Sequence, residues 1–370
     1  MKKYIVVGAG ILGASAAYHL AKQGADVTII DRKDKGQATD AAAGIICPWV
    51  SQRRNKAWYT LAKNGAGYYP KLVSELMKEG EKDTGYARVG ALCLHKNQEK
   101  LKQMQDRALS RKKEAPEMGE ICILSPQETT KRFPVLNDQY GAVYVSGAAR
   151  VNGRALKQAL LQAAQNNGAK FINNTAVLAY TENRVTGVLV DEVAIPADIV
   201  ILCAGAWAES LVEPLGVSSH VTFQKAQIAH LQLEETETSE WPVVMPPSNH
   251  YLLSFDGGQI VAGATHENDV NLQDTSVTAD GIKEVMDKAI TAAPGLADCT
   301  FIEMRVGFRP FTPDFLPVID KLPGWEGLLF ANGLGASGLT TGPFLGLQLA
   351  KLAMDHEADI DLEPYSIKVK

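Results

Sequence analysis

Short runs of consecutive apolar residues, rich in β-branched side chains, punctuate the chain and alternate with amphipathic or glycine-marked stretches. Residues 3–7 form one such run and predict a strand buried on both faces, as in a parallel sheet. Residues 11–23 are good helix formers with Leu12, Ala16 and Leu20 on one face, and Gly24 stands where a helix C′ glycine belongs. Residues 26–31 predict the next strand. Further along, Asn152 is placed to cap a helix over 154–166 that Gly168 closes. The runs 170–172, 177–180 and 185–193 predict strands and a hairpin. Residues 199–203 predict a buried strand ending at Ala204-Gly205-Ala206-Trp207 and a helix. The segments 220–233 and 251–265 alternate in the manner of an antiparallel sheet, with Asp256-Gly257-Gly258 as the turn. An amphipathic helix is expected over 278–293. Residues 333–346 turn glycine-rich and run into a final helix over 345–354. Residues 85–131 have a different, mixed-charge character. Their Lys- and Arg-rich part, 107–113, is flanked by Asp106 and Glu114 and reads as a solvated helix face.

Strands like those of the N-terminal unit recur around 170–205 and 325–335, and material of another kind interrupts them twice. The fold class that follows is α/β. A discontinuous, Rossmann-like nucleotide-binding domain takes 1–84, 141–219 and 321–370. An α+β substrate domain with an antiparallel sheet takes 85–140 and 220–320. Length agrees with two domains: 370 residues exceed the roughly 250–300 at which single cores stop growing. The formal charge of −5 argues against broad electrostatic binding to nucleic acid or anionic membrane. Cys47, Cys93, Cys122, Cys203 and Cys299 are scattered, with no Cys-x-x-Cys pair, so neither a disulfide framework nor a zinc site is signalled. A reduced, cytoplasmic setting is expected. Met1-Lys2-Lys3 and the apolar run after it resemble a signal peptide, but the run falls short of the about 20 residues that span a bilayer. Glycines at 8, 10 and 13 account for it as a nucleotide-binding turn.

Gly8-Ala9-Gly10-Ile11-Leu12-Gly13 is a complete G-x-G-x-x-G between a predicted strand and a predicted helix. Gly8 permits the tight turn, Gly10 lets a pyrophosphate approach the backbone, and Gly13 allows close helix–strand packing. Asp31, 18 residues after Gly13, is placed to accept hydrogen bonds from ribose hydroxyls. A helix that merely contains spaced glycines would not need this context. The seven histidines show neither His-x-x-x-His nor His-Asp spacing, so the constellation that usually accompanies an NAD dehydrogenase is missing. After the second strand comes Ala38-Thr39-Asp40-Ala41-Ala42-Ala43-Gly44, whose small side chains suit a flat ring against backbone. A tight turn with an Ala-rich helix start fits that spacing as well. Arg309 sits in an apolar, proline-bounded stretch where an arginine needs a partner. Its planar fork matches a carboxylate bidentately, either a ligand's or that of an internal Asp or Glu. Tyr251 reads from composition as a sheet-face aromatic. His250 should point to the opposite face of the strand, as an ordinary core or surface histidine.

The opening fingerprint, residues 39–44, the 199–207 run and Val306-Gly307-Phe308-Arg309-Pro310 together resemble the D-amino-acid oxidase superfamily of flavoproteins. So do Thr312-Pro313-Asp314 through Pro317 and the tail from Asn332 to Leu339. The likeness runs through the whole chain in order and points to bacterial glycine oxidases and D-amino-acid dehydrogenases. It implies noncovalent FAD, extended between the N-terminal βαβ unit and the C-terminal glycine loop. The cofactor contacts it implies at the turn are Gly8, Gly10, Ile11, Leu12 and Gly13. Asp31 would bind ribose, with Arg32 beside it. Thr39, Ala43, Gly44 and Ile45 would line the flavin, with Ala38 and Asp40 in the same segment. Val177 would contact the adenine through its backbone, and Ala204, Gly205 and Trp207 join the set. Gly333, Leu334, Gly335, Ala336, Ser337, Gly338, Leu339 and Thr340 would cover the pyrimidine end of the ring. Arg309 would grip a substrate carboxylate and Tyr251 would share it.

Two departures from that pattern bear on function. Where glycine oxidases of this kind carry an arginine in the C-terminal loop, this chain has Ala336, nearer the dehydrogenase form. Residues 312–317 hold no cysteine for a covalent flavin link, and Cys299 is too far upstream. The implied activity is oxidative deamination of a small amino acid (glycine, sarcosine or a small D-amino acid) to a 2-oxo acid, with dioxygen reduced to hydrogen peroxide. Its rivals are a D-amino-acid dehydrogenase feeding a quinone or other carrier, and a noncatalytic FAD-binding subunit. No nucleic-acid partner and no stable membrane insertion is expected, and a homo-oligomer is left open.

Overall fold

The computed structural model describes residues 1–367. Lys3–Val7 forms the strand its apolar run predicts and lies in parallel between Asp26–Ile30 and Ile199–Leu202. These belong to a six-stranded sheet in the order 318–321, 328–332, 199–202, 3–7, 26–30, 170–172. Only the edge pair, Val318–Lys321 with Leu328–Asn332, runs antiparallel. The central strands are apolar on both sides because both sides are covered. Val6, Ile29 and Ile201 face the core that contains the helices Ile11–Lys22, Gly153–Asn166 and Gly338–Ala353. Ile5, Val7, Val200 and Leu202 face a second core with Leu178, Val185 and Val188 of a three-stranded antiparallel sheet. In that small sheet the expected strand over 185–193 divides into Arg184–Val190 and Val193–Pro196. The chain reverses at Asp191 and Glu192, whose φ angles of 49° and 65° are those of a two-residue hairpin turn.

An eight-stranded sheet forms the other half of the molecule, in the order 300–311, 222–232, 259–263, 251–254, 243–245, 91–95, 141–145, 121–124. All its pairs are antiparallel except Val243–Met245 with Ala91–His95. The strand Gly141–Val145, expected in the nucleotide-binding part, lies inside this sheet between 91–95 and 121–124. Its five residues are buried on both faces, a pattern that a covered antiparallel strand shares with a parallel one. Likewise 318–321 joins the six-stranded sheet, so the crossover at the far end falls after Phe311. Within the basic segment, Arg111 turns inward: it donates to the Ser51 carbonyl at 2.6 Å and lies over the Tyr59 ring. Among the described residues, no helix is long and apolar enough to cross a membrane.

Two helices run through residues that read locally as breakers. The last begins at Gly338 rather than 345, and a 23-residue helix, Lys56–Lys78, contains the apparent breakers Gly65, Gly67 and Pro70. At Gly65 and Gly346 glycine answers helix–helix contact. A Cβ on Gly346 would lie 2.4 Å from Ser15 Cβ and 3.0 Å from the Leu12 carbonyl, and one on Gly65 would lie 2.1 Å from the Thr340 carbonyl. The first and last helices therefore touch almost backbone to backbone. Gly346→Ala should destabilise the fold by about 1–3 kcal/mol in urea unfolding, the range for overpacking. Gly67→Ala, whose Cβ would meet nothing nearer than 3.6 Å, should be neutral or stabilising by ~0.5–1 kcal/mol. Equal effects from the two would mean that the close approach carries no constraint.

Candidate active site

A cavity of about 400 Å³ runs from the C-terminal edge of the six-stranded sheet to the face of the eight-stranded sheet. Its floor is the glycine turn. Gly8 has φ 96°, and a Cβ there would lie 2.5 Å from the Cys203 carbonyl. Gly13 does not line the cavity; a Cβ on it would strike the Gly8 carbonyl at 1.9 Å. Gly10 is the open one, where a Cβ would have only Thr39 Oγ1 near it, at 3.5 Å. Gly10, Ile11 and Leu12 thus bring a helix N-terminus into the cavity. Thr39 Oγ1 accepts from the Ile11 N–H at 3.0 Å and ties this turn to the 38–41 segment. Asp31 is buried at the cavity wall beside Arg32. Its Oδ2 accepts from the Ala9 N–H at 2.6 Å, and its Oδ1 accepts from the Lys33 N–H at 2.6 Å and from Gln37 Nε2 at 2.9 Å. Asp31 therefore also holds the glycine turn in shape.

The remaining walls gather distant segments. Ala38, Ala43, Gly44 and Ile45 line one side, and Ala204, Gly205 and Trp207 another. Leu334, Gly335, Ala336, Gly338, Leu339 and Thr340 bring in the N-terminus of the last helix, and Thr340 Oγ1 donates to the Ile45 carbonyl at 3.0 Å. Besides Gly13, four expected contacts stand outside. Asp40 turns away to form an ion pair with Lys157. Gly333 serves the turn at φ 78°, and Ser337 accepts from Trp58 Nε1 at 3.1 Å. Val177 is 50% exposed on the three-stranded sheet, and the cavity is reached instead by Asn174, Thr175 and Ala176 just before it.

Arg309 and Tyr251 close the far end, where the small residues Ala226 and Gly307 keep the sheet face clear. Gly263 opposite Tyr251 has the same use, since a Cβ there would meet the phenol oxygen at 2.5 Å. Burial raises the Tyr251 phenol above its usual value, while the charge and hydrogen bond of Arg309 pull it down. Half-buried Arg309 donates through Nη1 to Gln224 Oε1 at 3.3 Å, and among the described residues no carboxylate pairs with it. Sequence reasoning missed two neighbours, Asn249 and His266, which also line this end. Burial first, then the Arg309 charge, lower the His266 pKa, so its ring is neutral at pH 7. Both residues sit in aperiodic loops, where no local signal marks them. His250 lies behind the cavity wall, its ring nitrogens without partners and its pKa pushed down to about 4, chiefly by burial.

Comparison with known proteins gives this architecture a family. The model for DAO, FAD dependent oxidoreductase, matches residues 3–352. The uncharacterized oxidoreductase YurR of Bacillus subtilis is 59% identical over 365 residues, 99% of this chain and 98% of that one. The structure of iminodiacetate oxidase from Chelativorans sp. BNC1 superposes with a TM-score of 0.95 at 45% identity, covering 98% of each chain. Glycine oxidase of Pseudomonas aeruginosa is 30% identical over 370 residues, 99% of this chain and 98% of that protein. The residues present fit the cofactor: an open glycine turn at one helix N-terminus, a buried acid beside it, and a second helix N-terminus across the same cavity. The chain belongs to the DAO family of FAD-dependent oxidoreductases, and FAD is its cofactor.

Proposed function

We propose that this enzyme oxidises the C–N bond of a small amino acid, releasing a 2-oxo acid and ammonia or an amine. The observation that carries the reading is Arg309: a half-buried guanidinium in the cavity, without a carboxylate of its own. A substrate carboxylate completes it, held by two parallel N–H···O bonds, and Tyr251 adds a donor from the strand 251–254 of the same sheet. Glycine, sarcosine and small D-amino acids fit this description. So does a secondary amine with carboxymethyl arms, a substrate supported by the likeness to iminodiacetate oxidase.

Bound FAD would supply the two-electron acceptor for the Cα hydride, with dioxygen as the proposed final acceptor, reduced to hydrogen peroxide. The protein's part is positioning. Arg309 and Tyr251 fix the carboxylate and with it the direction of the Cα–H bond. The substrate amine binds in its deprotonated form, its proton having gone to solvent, and His266, neutral beside Arg309, places no second positive charge near it. Water then hydrolyses the imino acid. FAD is held noncovalently: Cys203 lines the cavity, but burial raises its thiol pKa well above the usual range and leaves no thiolate to form a bond.

Boiling should release the flavin into the supernatant; flavin retained in the pellet would contradict noncovalent binding. Asp31→Ala should lower FAD retention by about 1.5–3 kcal/mol through its charge-assisted bonds. It should also lower the melting temperature, because the Ala9 N–H loses its acceptor. Unchanged FAD affinity would remove Asp31 from the site. Arg309→Leu should reduce kcat/KM by about 2–5 kcal/mol, thirty- to several-thousand-fold, with FAD content and melting temperature near wild type. Arg309→Lys should recover only part of the loss. Anaerobic flavin bleaching with an amino-acid panel, then admission of air, tests the reaction itself. Stoichiometric peroxide is expected, whereas slow reoxidation in air alongside fast dye reduction would assign a dehydrogenase.

A further inference from the structure

The side chains of Thr222–Gln232 divide their work between two sides of the sheet. Lys225 and Gln227 are buried under the loop 264–278 and hold it down. Lys225 Nζ is 3.0 Å from Asp274 Oδ2, and Gln227 Nε2 donates to Glu267 Oε1 at 2.8 Å. The backbones of Lys225 and Glu267 exchange two further bonds, at 3.0 and 2.9 Å. This fixed loop carries Asn268. Its Oδ1 accepts from Gln224 Nε2 at 2.9 Å, which turns the other end of the Gln224 amide, Oε1, toward Arg309 Nη1. Gln224 and Arg309 are also direct cross-strand partners, so backbone pairing sets their separation.

We propose that Gln224 is the positioning residue of the Arg309 clamp: its carbonyl, oriented by Asn268, fixes the roll of the guanidinium plane without neutralising its charge. The inference rests on the reading of Arg309 as the carboxylate-binding group and adds what sets its geometry. The neutral amide is the essential feature. A carboxylate at 224 would form an internal ion pair with Arg309, and the substrate would have to displace it. An apolar side chain would leave the fork free to swing, so the carboxylate would bind less tightly and the Cα–H bond would lose its aim.

The test uses the FAD-loaded enzyme and acetate, an amine-free carboxylate, with binding read from the perturbation of flavin absorbance. Gln224→Glu should weaken acetate binding and raise KM for the best amino acid by about tenfold or more, since the added charge competes for Arg309. Gln224→Met should weaken acetate by only a few-fold and lower kcat as well, roughly the signature of lost alignment. Asn268→Ala should show a smaller effect in the direction of Gln224→Met. Turnover of benzylamine, which has no carboxylate, should stay at its wild-type rate in all three variants, and FAD content should not change. Unaltered acetate affinity in Gln224→Glu would overturn the proposal, as would equal losses for benzylamine and the amino acid. Arg309→Leu keeps the two ideas apart. If it binds acetate like wild type, the clamp itself is wrong. If it loses acetate while Gln224→Glu does not, only the positioning role fails.

Discussion

The contact between the first and last helices is the constraint from which the site follows. At Gly346 the last helix approaches Ser15 and the Leu12 carbonyl with no room for a methyl group, and at Gly342 a Cβ would come within 2.9 Å of Ile11. Residues from opposite ends of the sequence, 8–12 and 334–340, therefore share one cavity. Each contributes a helix N-terminus, so two positive ends and their free N–H groups face the same space. The parallel strands beneath place both turns at the carboxyl edge of the sheet, where α/β folds take their ligands. An extended dinucleotide, anionic at the pyrophosphate and electron-accepting at its ring, can use both ends; a compact ligand could use one. Widening the helix contact by a single methyl would disturb both ends together.

The first 31 residues are legible because every local signal agrees: a β-branched run, a glycine turn, a helix with its closing glycine, a second strand and an acid. The structure reproduces each, and the Asn152 cap with its helix likewise. Legibility fails where a residue type has two uses. Glycine at 342 and 346 reads as loop, yet here it serves packing, and Gly65 conceals a long helix in the same way. Strand 141–145 is apolar on both faces, and nothing local says which sheet covers it. The site shows the same division. Arg309 stands out in the sequence because an arginine among apolar residues asks for a partner. Asp40 looks like a flavin contact, but its partner Lys157 is more than a hundred residues away, beyond local pattern. His266 and Asn249 reach the cavity on loops whose course is set by long-range contacts such as the Lys225 to Asp274 ion pair.

Charge is partitioned along the cavity, and that partition explains the chemistry at each end. Asp31 and Asp34 are the carboxylates that line it among the described residues, both just after the second strand, and Asp34 is paired with Arg32. At the other end Arg309 has only neutral company: the Gln224 amide, the Tyr251 phenol held above its usual pKa and the His266 imidazole held below it. An arginine with an internal carboxylate would be better satisfied in the empty enzyme and worse as a clamp, because the substrate would gain only the difference between two similar pairings. Leaving the guanidinium half-buried and unpaired costs some stability in the free protein. For the carboxylate substrate proposed above, it makes the incoming carboxylate the first good partner available and transfers that unmet interaction into substrate binding. The neutral neighbours supply what the missing acid would otherwise provide, which is orientation. On the proposed reading, clamp strength and clamp geometry are assigned to different atoms, and a small, featureless amino acid is held in one direction by a single charged side chain.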